Sequence, residues 1–175
     1  MSFSGRGKSS FTRKESTKEV KPSFLIVCEG ERTEPNYFRQ FSVSTLDIEV
    51  VGAGCDTVAV VDTAIDIITQ ATKKYDQVWC VFDKDSFPDE RYRQAFVRAR
   101  AKGIKIAYSN ESFELWFVLH FQYLDSQINR KQYISVLARQ LGSYKKNDAT
   151  IYDQLRQYQS VAIRNARKLD EQYDN

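Results

Sequence analysis

Two unbroken apolar runs, Phe24-Leu25-Ile26-Val27-Cys28 and Val78-Trp79-Cys80-Val81-Phe82, constrain the possible folds of this chain more than any other feature. Five apolar residues without polar alternation are too few for a helix and read as a strand buried on both faces, the kind that builds parallel sheets. Parallel neighbours need long crossovers, usually helical, and the chain supplies them. Tyr37, Phe38 and Phe41 have helical spacing behind Thr33, a predicted N-cap with Glu34 and Pro35 in the first turn. Leu46 to Val51 supplies β-branched residues for a second strand. Asp56 can then cap a helix carrying Val58, Val61, Ile65 and Ile68 on one face, expected to run to about Lys74. Ser86 with Pro88 opens another helix through Lys102, and Ile104 to Tyr108 follows Gly103 as a fourth strand.

The order βαβαβαβ predicts an α/β fold: a mostly parallel four-stranded sheet with right-handed crossovers and helices on both faces. From Asn110 onward only helical patterns remain. Glu111 to Tyr123 is aromatic-rich, Arg130 to Leu141 is amphipathic, and Thr150 to Tyr173 places Tyr152, Leu155, Ile163, Ala166 and Leu169 along one side. Trp116, Phe117, Phe113 and Phe121 read as core rather than as a stacking platform for bases, since helical spacing and nearby Leu119 and Leu124 account for them.

A length of 175 residues suits one domain with a real core. Cys28, Cys55 and Cys80 form no CxxC pair and no disulfide framework, and with no hydrophobic leader ahead of them they suit a reducing cytoplasm. No apolar stretch approaches the roughly 20 residues of a bilayer span, so no membrane segment is expected. His120 is the only histidine, which excludes multi-histidine zinc sites and a Ser-His triad. Its expected role is structural, with a hydrogen bond to a carboxylate as the alternative. Gly52-Ala53-Gly54 imitates a dinucleotide-binding fingerprint, but Thr57 stands where the third glycine belongs and the strand before it is not the first. No P-loop motif occurs, so any ATPase activity belongs to a partner.

Charge is distributed unevenly. Residues 1–22 hold six Lys or Arg against two Glu, residues 23–129 hold eleven against sixteen acids, and residues 130–175 hold nine against five. An acidic centre suits cation binding and basic ends suit a polyanion, as does an ordinary solvated surface.

Within that acidic centre, Glu29 directly follows the first strand and Asp83 and Asp85 follow the third. Ligands of open parallel sheets bind beyond the carboxyl ends of the strands. If strand geometry persists, Asp83 and Asp85 point to one side and offer two hard oxygen donors, suited to Mg²⁺ or Mn²⁺. Gly30 lets the chain turn after Glu29, leaving that carboxylate to serve as a ligand or as a general acid or base. Acids in such places also act as turn residues and helix caps, but Glu-Gly after one strand and DxD after another favour the functional reading. Glu114, in the first turn after the fourth strand, suits either an added metal ligand or the helix dipole. Lys145 and Lys146 are the best candidates for binding phosphate, with Arg32, Asn110 and Arg164 as further candidates.

Three segments carry a family likeness. Ile26-Val27-Cys28-Glu29-Gly30-Glu31-Arg32-Thr33-Glu34-Pro35-Asn36-Tyr37-Phe38, then Val81-Phe82-Asp83-Lys84-Asp85, then Asn110-Glu111-Ser112-Phe113-Glu114-Leu115-Trp116 with His120-Phe121, together resemble the RloB-like family over roughly Phe24 to Leu169. The resemblance implies a Toprim-type nuclease of bacterial antiphage defence, using a divalent metal on nucleic acid (tRNA, other RNA or DNA), with an AAA/ABC-type ATPase partner. Met1 to Lys21 is rich in Ser, Gly, Lys and Arg without apolar periodicity, so the chain is expected to comprise a disordered basic tail (1–22), a Toprim-like α/β core (23–109) and a helical extension packed on that core (110–175). The alternative is a non-catalytic subunit of a defence complex that binds a nucleotide or nucleic acid in the same pocket.

Overall fold

The structure, a computed structural model, describes residues 21–41, 43–84, 89–126 and 128–173. The expected basic tail, save Lys21 and Pro22, lies outside the described residues, as do Asp85, Ser86 and Pro88. In chain order the elements are β1 (Ser23–Cys28), α1 (Thr33–Arg39), β2 (Asp47–Gly52), α2 (Thr57–Gln70), β3 (Gln77–Lys84), α3 (Asp89–Ala101) and β4 (Lys105–Asn110). There follow α4 (Glu114–Leu119), α5 (Arg130–Leu141), α6 (Ile151–Leu155), a 3₁₀ turn (Arg156–Tyr158) and α7 (Gln159–Tyr173).

Among the described residues, four strands form one sheet, parallel throughout, in the order β2-β1-β3-β4. The two central strands, β1 and β3, are buried on both faces because their side chains alternate between two apolar clusters. Leu25, Val27, Cys80 and Phe82 pack under α2 and α3 with Val60, Val61, Ala64, Ala95 and Ala99. Cys28 and Val81 face the other way, into a cluster with Tyr37, Phe113, Phe117, Val118, Tyr133, Leu137, Ile151 and Leu155. The helical residues after 110 therefore share a core with the sheet. Tyr37 is the hub of that second cluster, within 5.4–5.8 Å of the ring centroids of Phe38, Phe41, Phe113, Phe117 and Tyr152. Phe113 and Phe117 are core residues, as the spacing predicts.

Several local expectations change in the folded chain. Thr33 is not an N-cap but the first residue of α1, and its hydroxyl donates to Asn147 Oδ1 at 2.7 Å. The loop after α5 has taken the group that would have capped the helix. Helix α2 stops at Gln70, with Ala71 extended, and Lys73 instead reaches Asp47 and Glu49 of β2 at 3.2 and 3.0 Å. Strand β4 continues through Asn110, and α4 is confined to six residues of the predicted Glu111 to Tyr123 helix. Glu111 has a left-handed φ of 64°, which breaks any helix there. The predicted helix from Thr150 to Tyr173 is divided by the 3₁₀ turn, where Tyr158 packs on Phe121 and Gln159 donates to the Tyr37 hydroxyl at 2.5 Å. His120 is buried, and its Nδ1 lies 2.9 Å from the Trp116 carbonyl, so its partner is main chain and not a carboxylate. Burial also lowers its pKa. No helix among the described residues is long and apolar enough to cross a membrane.

Asp56 does cap α2, accepting from the Ala59 N–H at 3.2 Å. Asp56→Ala is expected to cost about 1 kcal/mol, roughly 2–4 °C of melting temperature in a domain of this size. Asp56→Asn, which keeps an acceptor, should melt near wild type. The exposed Arg91 pair on the same carboxylate adds little.

Candidate functional site

The strand order makes one place on the sheet unlike the rest. From β1 the chain crosses α1 to β2 on one side, then returns over β1 through α2 to β3 and continues through α3 to β4 on the other side. The reversal leaves a crevice between the carboxyl ends of β1 and β3, the usual ligand position in open α/β sheets. Glu29 and Asp83 stand at those two strand ends.

Glu29 spans the crevice. Its N–H donates to the Val81 carbonyl at 2.8 Å, its carbonyl accepts from Gly54 at 3.0 Å, and its carboxylate Oε2 accepts from the Asp83 N–H at 2.9 Å. Asp83 is further fixed through its carbonyl, which accepts from the Tyr92 hydroxyl of α3. Its carboxylate is only 19% exposed and faces Arg130, the first residue of α5, with Nη2 3.7 Å from Oδ2. Burial raises the Asp83 pKa to about 8; Glu34, Glu29 and Glu114 push the same way and Arg130 opposes them.

Two further acids stand close enough to be felt. Glu34 in α1 is 6% exposed, and burial, assisted by Glu114, raises its pKa while its own and the Gly30 main-chain N–H groups and Lys146 pull it down. Glu114 in α4 is 4% exposed and accepts from the Tyr144 hydroxyl at 3.2 Å. A side chain on Gly30 would meet the end of the Glu34 side chain and displace its carboxylate. Gly52 is more tightly constrained, because a Cβ there would meet main-chain atoms, the Gly30 carbonyl oxygen at 2.8 Å and the Glu31 Cα at 2.9 Å. The glycines that imitate a dinucleotide fingerprint let the end of β2 pack against the loop that carries Glu29.

The chemistry of this donor set suits a hard cation. It is all oxygen, it gathers acids from the end of β1 and from α1, β3 and α4, and their mutual repulsion adds to burial in raising Asp83 and Glu34. Among the described residues no three of these side chains are close enough to enclose an ion. Asp85, the other half of the DxD pair, lies outside the described residues.

The predicted phosphate-binding residues divide into two sets. Lys145 and Lys146 are exposed on the loop between α5 and α6. That loop is held to α1 by the Thr33–Asn147 bond and by Gln40 donating to the Ala149 carbonyl, which brings Lys146 within electrostatic reach of Glu34. Arg32 is exposed at the start of α1, and Asn110 ends β4 opposite Lys84. Arg164 is on the outer face of α7 beside Arg167 and Lys168, and no described contact joins it to the carboxylates.

Sequence reasoning missed Glu34, Arg130 and Tyr144 as site residues. Two of them carried a signal. Glu34 follows Gly30 by one helical turn, and a cation at the first position of a helix, as Arg130 is, opposes the helix dipole and so calls for another reason to be there. Tyr144 carried none, because only the fold brings it to Glu114.

No curated protein and no solved structure matches the chain. Residues 24–175 match the family described as RloB-like protein, a span that includes every described carboxylate of the crevice together with Arg130 and Lys146. The chain belongs to the RloB-like protein family.

Proposed function

We propose that this protein is a metal-dependent nuclease of Toprim type that hydrolyses phosphodiester bonds of RNA or DNA in the cytoplasm, in antiphage defence and with an ATPase partner. The observation that carries the reading is the Glu29–Asp83 contact at the reversal of strand order, with two more buried acids around it. Mg²⁺ or Mn²⁺ would be held by Asp83, Asp85 and Glu29, with Glu114 as a further ligand, and when bound supplies Lewis-acid stabilisation of the charge developing on the scissile phosphate. Glu29, which reaches across the crevice, would take or return a proton at the attacking or leaving oxygen. The Asp83 N–H holds Oε2 and so orients the side chain. Lys146, with Lys145 beside it, binds a neighbouring phosphate.

Purified protein is incubated with labelled single-stranded and duplex RNA and DNA and with tRNA, in Mg²⁺, in Mn²⁺ and in chelator. Cleavage of at least one substrate with metal, and of none with chelator, is the expected result. Absence of cleavage throughout, or cleavage that ignores chelator, overturns the reading. A second reading, a subunit that binds nucleic acid without cutting it, is favoured by Arg130, which already neutralises part of the Asp83 charge.

Lys145 and Lys146 are exposed, so removing both should reduce charge without disturbing packing. The double alanine variant is expected to melt as wild type does and to bind nucleic acid more weakly. The slope of log affinity against log salt should fall by about 0.7 for each single-strand phosphate that a lysine no longer neutralises. An unchanged slope would mean that neither lysine meets phosphate.

A further inference from the structure

Thr33 and Asn147 are joined at a cost to both segments that carry them. Thr33 stands at the start of α1, where a hydroxyl ordinarily serves the open helix N–H groups. Its hydroxyl instead donates to Asn147 Oδ1 at 2.7 Å, and the Arg32 side chain makes no cap in its place. Asn147, in the loop between α5 and α6, has a left-handed φ of 67°, uncommon for any residue but glycine. Thr33 is buried and Asn147 exposed, so the bond pins a surface loop to an inner position of α1.

Two further contacts hold the same loop. Before Asn147, the Tyr144 hydroxyl donates to Glu114 Oε1 of α4 at 3.2 Å. After it, the Ala149 carbonyl accepts from Gln40 at the end of α1. Lys145 and Lys146 are exposed between these anchors. Because Asn147 is bonded to Thr33, the neighbour of Glu34, the bond carries Lys146 to the row of acids. The two lysines face different charges: Lys145 acts on Asp148 of its own loop, and Lys146 acts on Glu34. A lysine on an unanchored loop must give up the freedom of that loop when it meets a ligand, and anchoring on both sides removes that cost before binding.

We infer that Thr33 and Asn147 are positioning residues for phosphate binding: the hydrogen bond between them clamps the loop after α5 against α1, so that Lys146 stands beside the acids to receive an oxygen of a nucleic-acid phosphate. The inference rests on the nuclease reading for its choice of ligand but not on catalysis. Neither Thr33 nor Asn147 touches the phosphate, and both act through Lys146.

The test measures binding in chelator, where nothing is cut, by fluorescence anisotropy. The probes are a labelled single-stranded RNA and a single-stranded DNA of the same sequence, over a range of salt. Lys146→Ala is expected to flatten the slope of log affinity against log salt by about 0.7, or about fivefold in affinity for each tenfold fall in salt. Thr33→Val keeps the shape and loses the hydroxyl, and should flatten the slope by at least half as much. Thr33→Ser restores the donor and should bind as wild type does. Asn147→Gly keeps the turn and loses the acceptor, so it should match Thr33→Val. Adding Thr33→Val to Lys146→Ala should change nothing more, which separates a role through Lys146 from a merely structural one. Melting temperatures identify variants that fail to fold, and should Thr33→Val do so, the exposed Asn147→Gly decides. A smaller change of slope in the deciding variant overturns the inference. So does an undiminished effect in the Lys146→Ala background, an unchanged slope in Lys146→Ala, or failure of the wild type to bind either probe. Cleavage is scored separately: a wild type that binds through a clamped Lys146 and never cuts would overturn the nuclease reading and leave this inference standing.

Discussion

Asp83→Asn is expected to abolish metal-dependent cleavage and, without metal, to raise the melting temperature, most of all near pH 8 and above. The Asp83 carboxylate is 19% exposed and stands among Glu29 after β1, Glu34 of α1 and Glu114 of α4, with Arg130 of α5 the cation facing it. Its pKa is raised from 3.8 to about 8 in the folded protein, by burial first and by those acids second. The folded state therefore holds a proton that the unfolded chain releases. This contribution to stability is fully present below about pH 4 and is lost as pH rises through about 8. An amide does not titrate, so the variant escapes that loss and the two melting curves should separate as pH rises. A gain of even about 1 kcal/mol corresponds to about 2–4 °C in a domain of this size.

The same substitution removes a hard oxygen donor from the proposed metal centre, so cleavage should fall by about 10³-fold or more. Wild type should gain about 2.7 kcal/mol from Mg²⁺ or Mn²⁺ at a hundred times the dissociation constant, and the variant less. Activity and stability then move in opposite directions. If the variant melts well below wild type, and metal stabilises neither protein, Asp83 serves the fold and the nuclease reading fails.

Gly52→Ala should have the largest structural effect of any conservative change near the site. The new methyl would lie 2.8 Å from the Gly30 carbonyl oxygen, 2.9 Å from the Glu31 Cα and 3.0 Å from the Glu31 carbonyl oxygen. All three are main-chain atoms, so no side chain can swing away, and the end of β2 must separate from the loop that carries Glu29. Overpacking of this kind costs about 1–3 kcal/mol. Cleavage should fall beyond what the unfolded fraction accounts for, because Glu29 moves with the loop. Gly103→Ala is the control: it carries the strain of a φ of 67° but meets nothing within 4 Å, and it follows α3 away from the carboxyl edge. It should lower the melting temperature while cleavage per folded molecule stays at the wild-type value. Equal loss of activity per folded molecule in both variants would show that Gly52 matters only for stability.

Features set by near neighbours were legible before folding. Asp56 caps α2 through a residue three positions on, and the runs from Phe24 to Cys28 in β1 and from Val78 to Phe82 in β3 are apolar because both faces of these strands are covered. Glu29 and Asp83 could be placed on one edge, since parallel strands share their carboxyl ends. The Thr33 cap was not legible, because the partner of its hydroxyl, Asn147, is 114 residues away. The helix predicted from Glu111 fails because propensity over a window does not register one residue held at positive φ by contacts on either side.

The sequence by itself determined the α/β class, the parallel strands, and the meeting of Glu29 and Asp83 at one end of the sheet, because periodicity and strand direction are local properties of the chain. Only the tertiary structure decided the order β2-β1-β3-β4, which makes the gap between β1 and β3 the crevice rather than any other pair of strand ends. It also decided the electrostatics of that crevice. Glu34, Glu114, Arg130 and Lys146 belong to α1, α4, α5 and the loop after α5, separated by up to about a hundred residues, and their effect on Asp83 and on one another depends on distance and burial. Neither quantity exists until the helices after 110 close over the sheet.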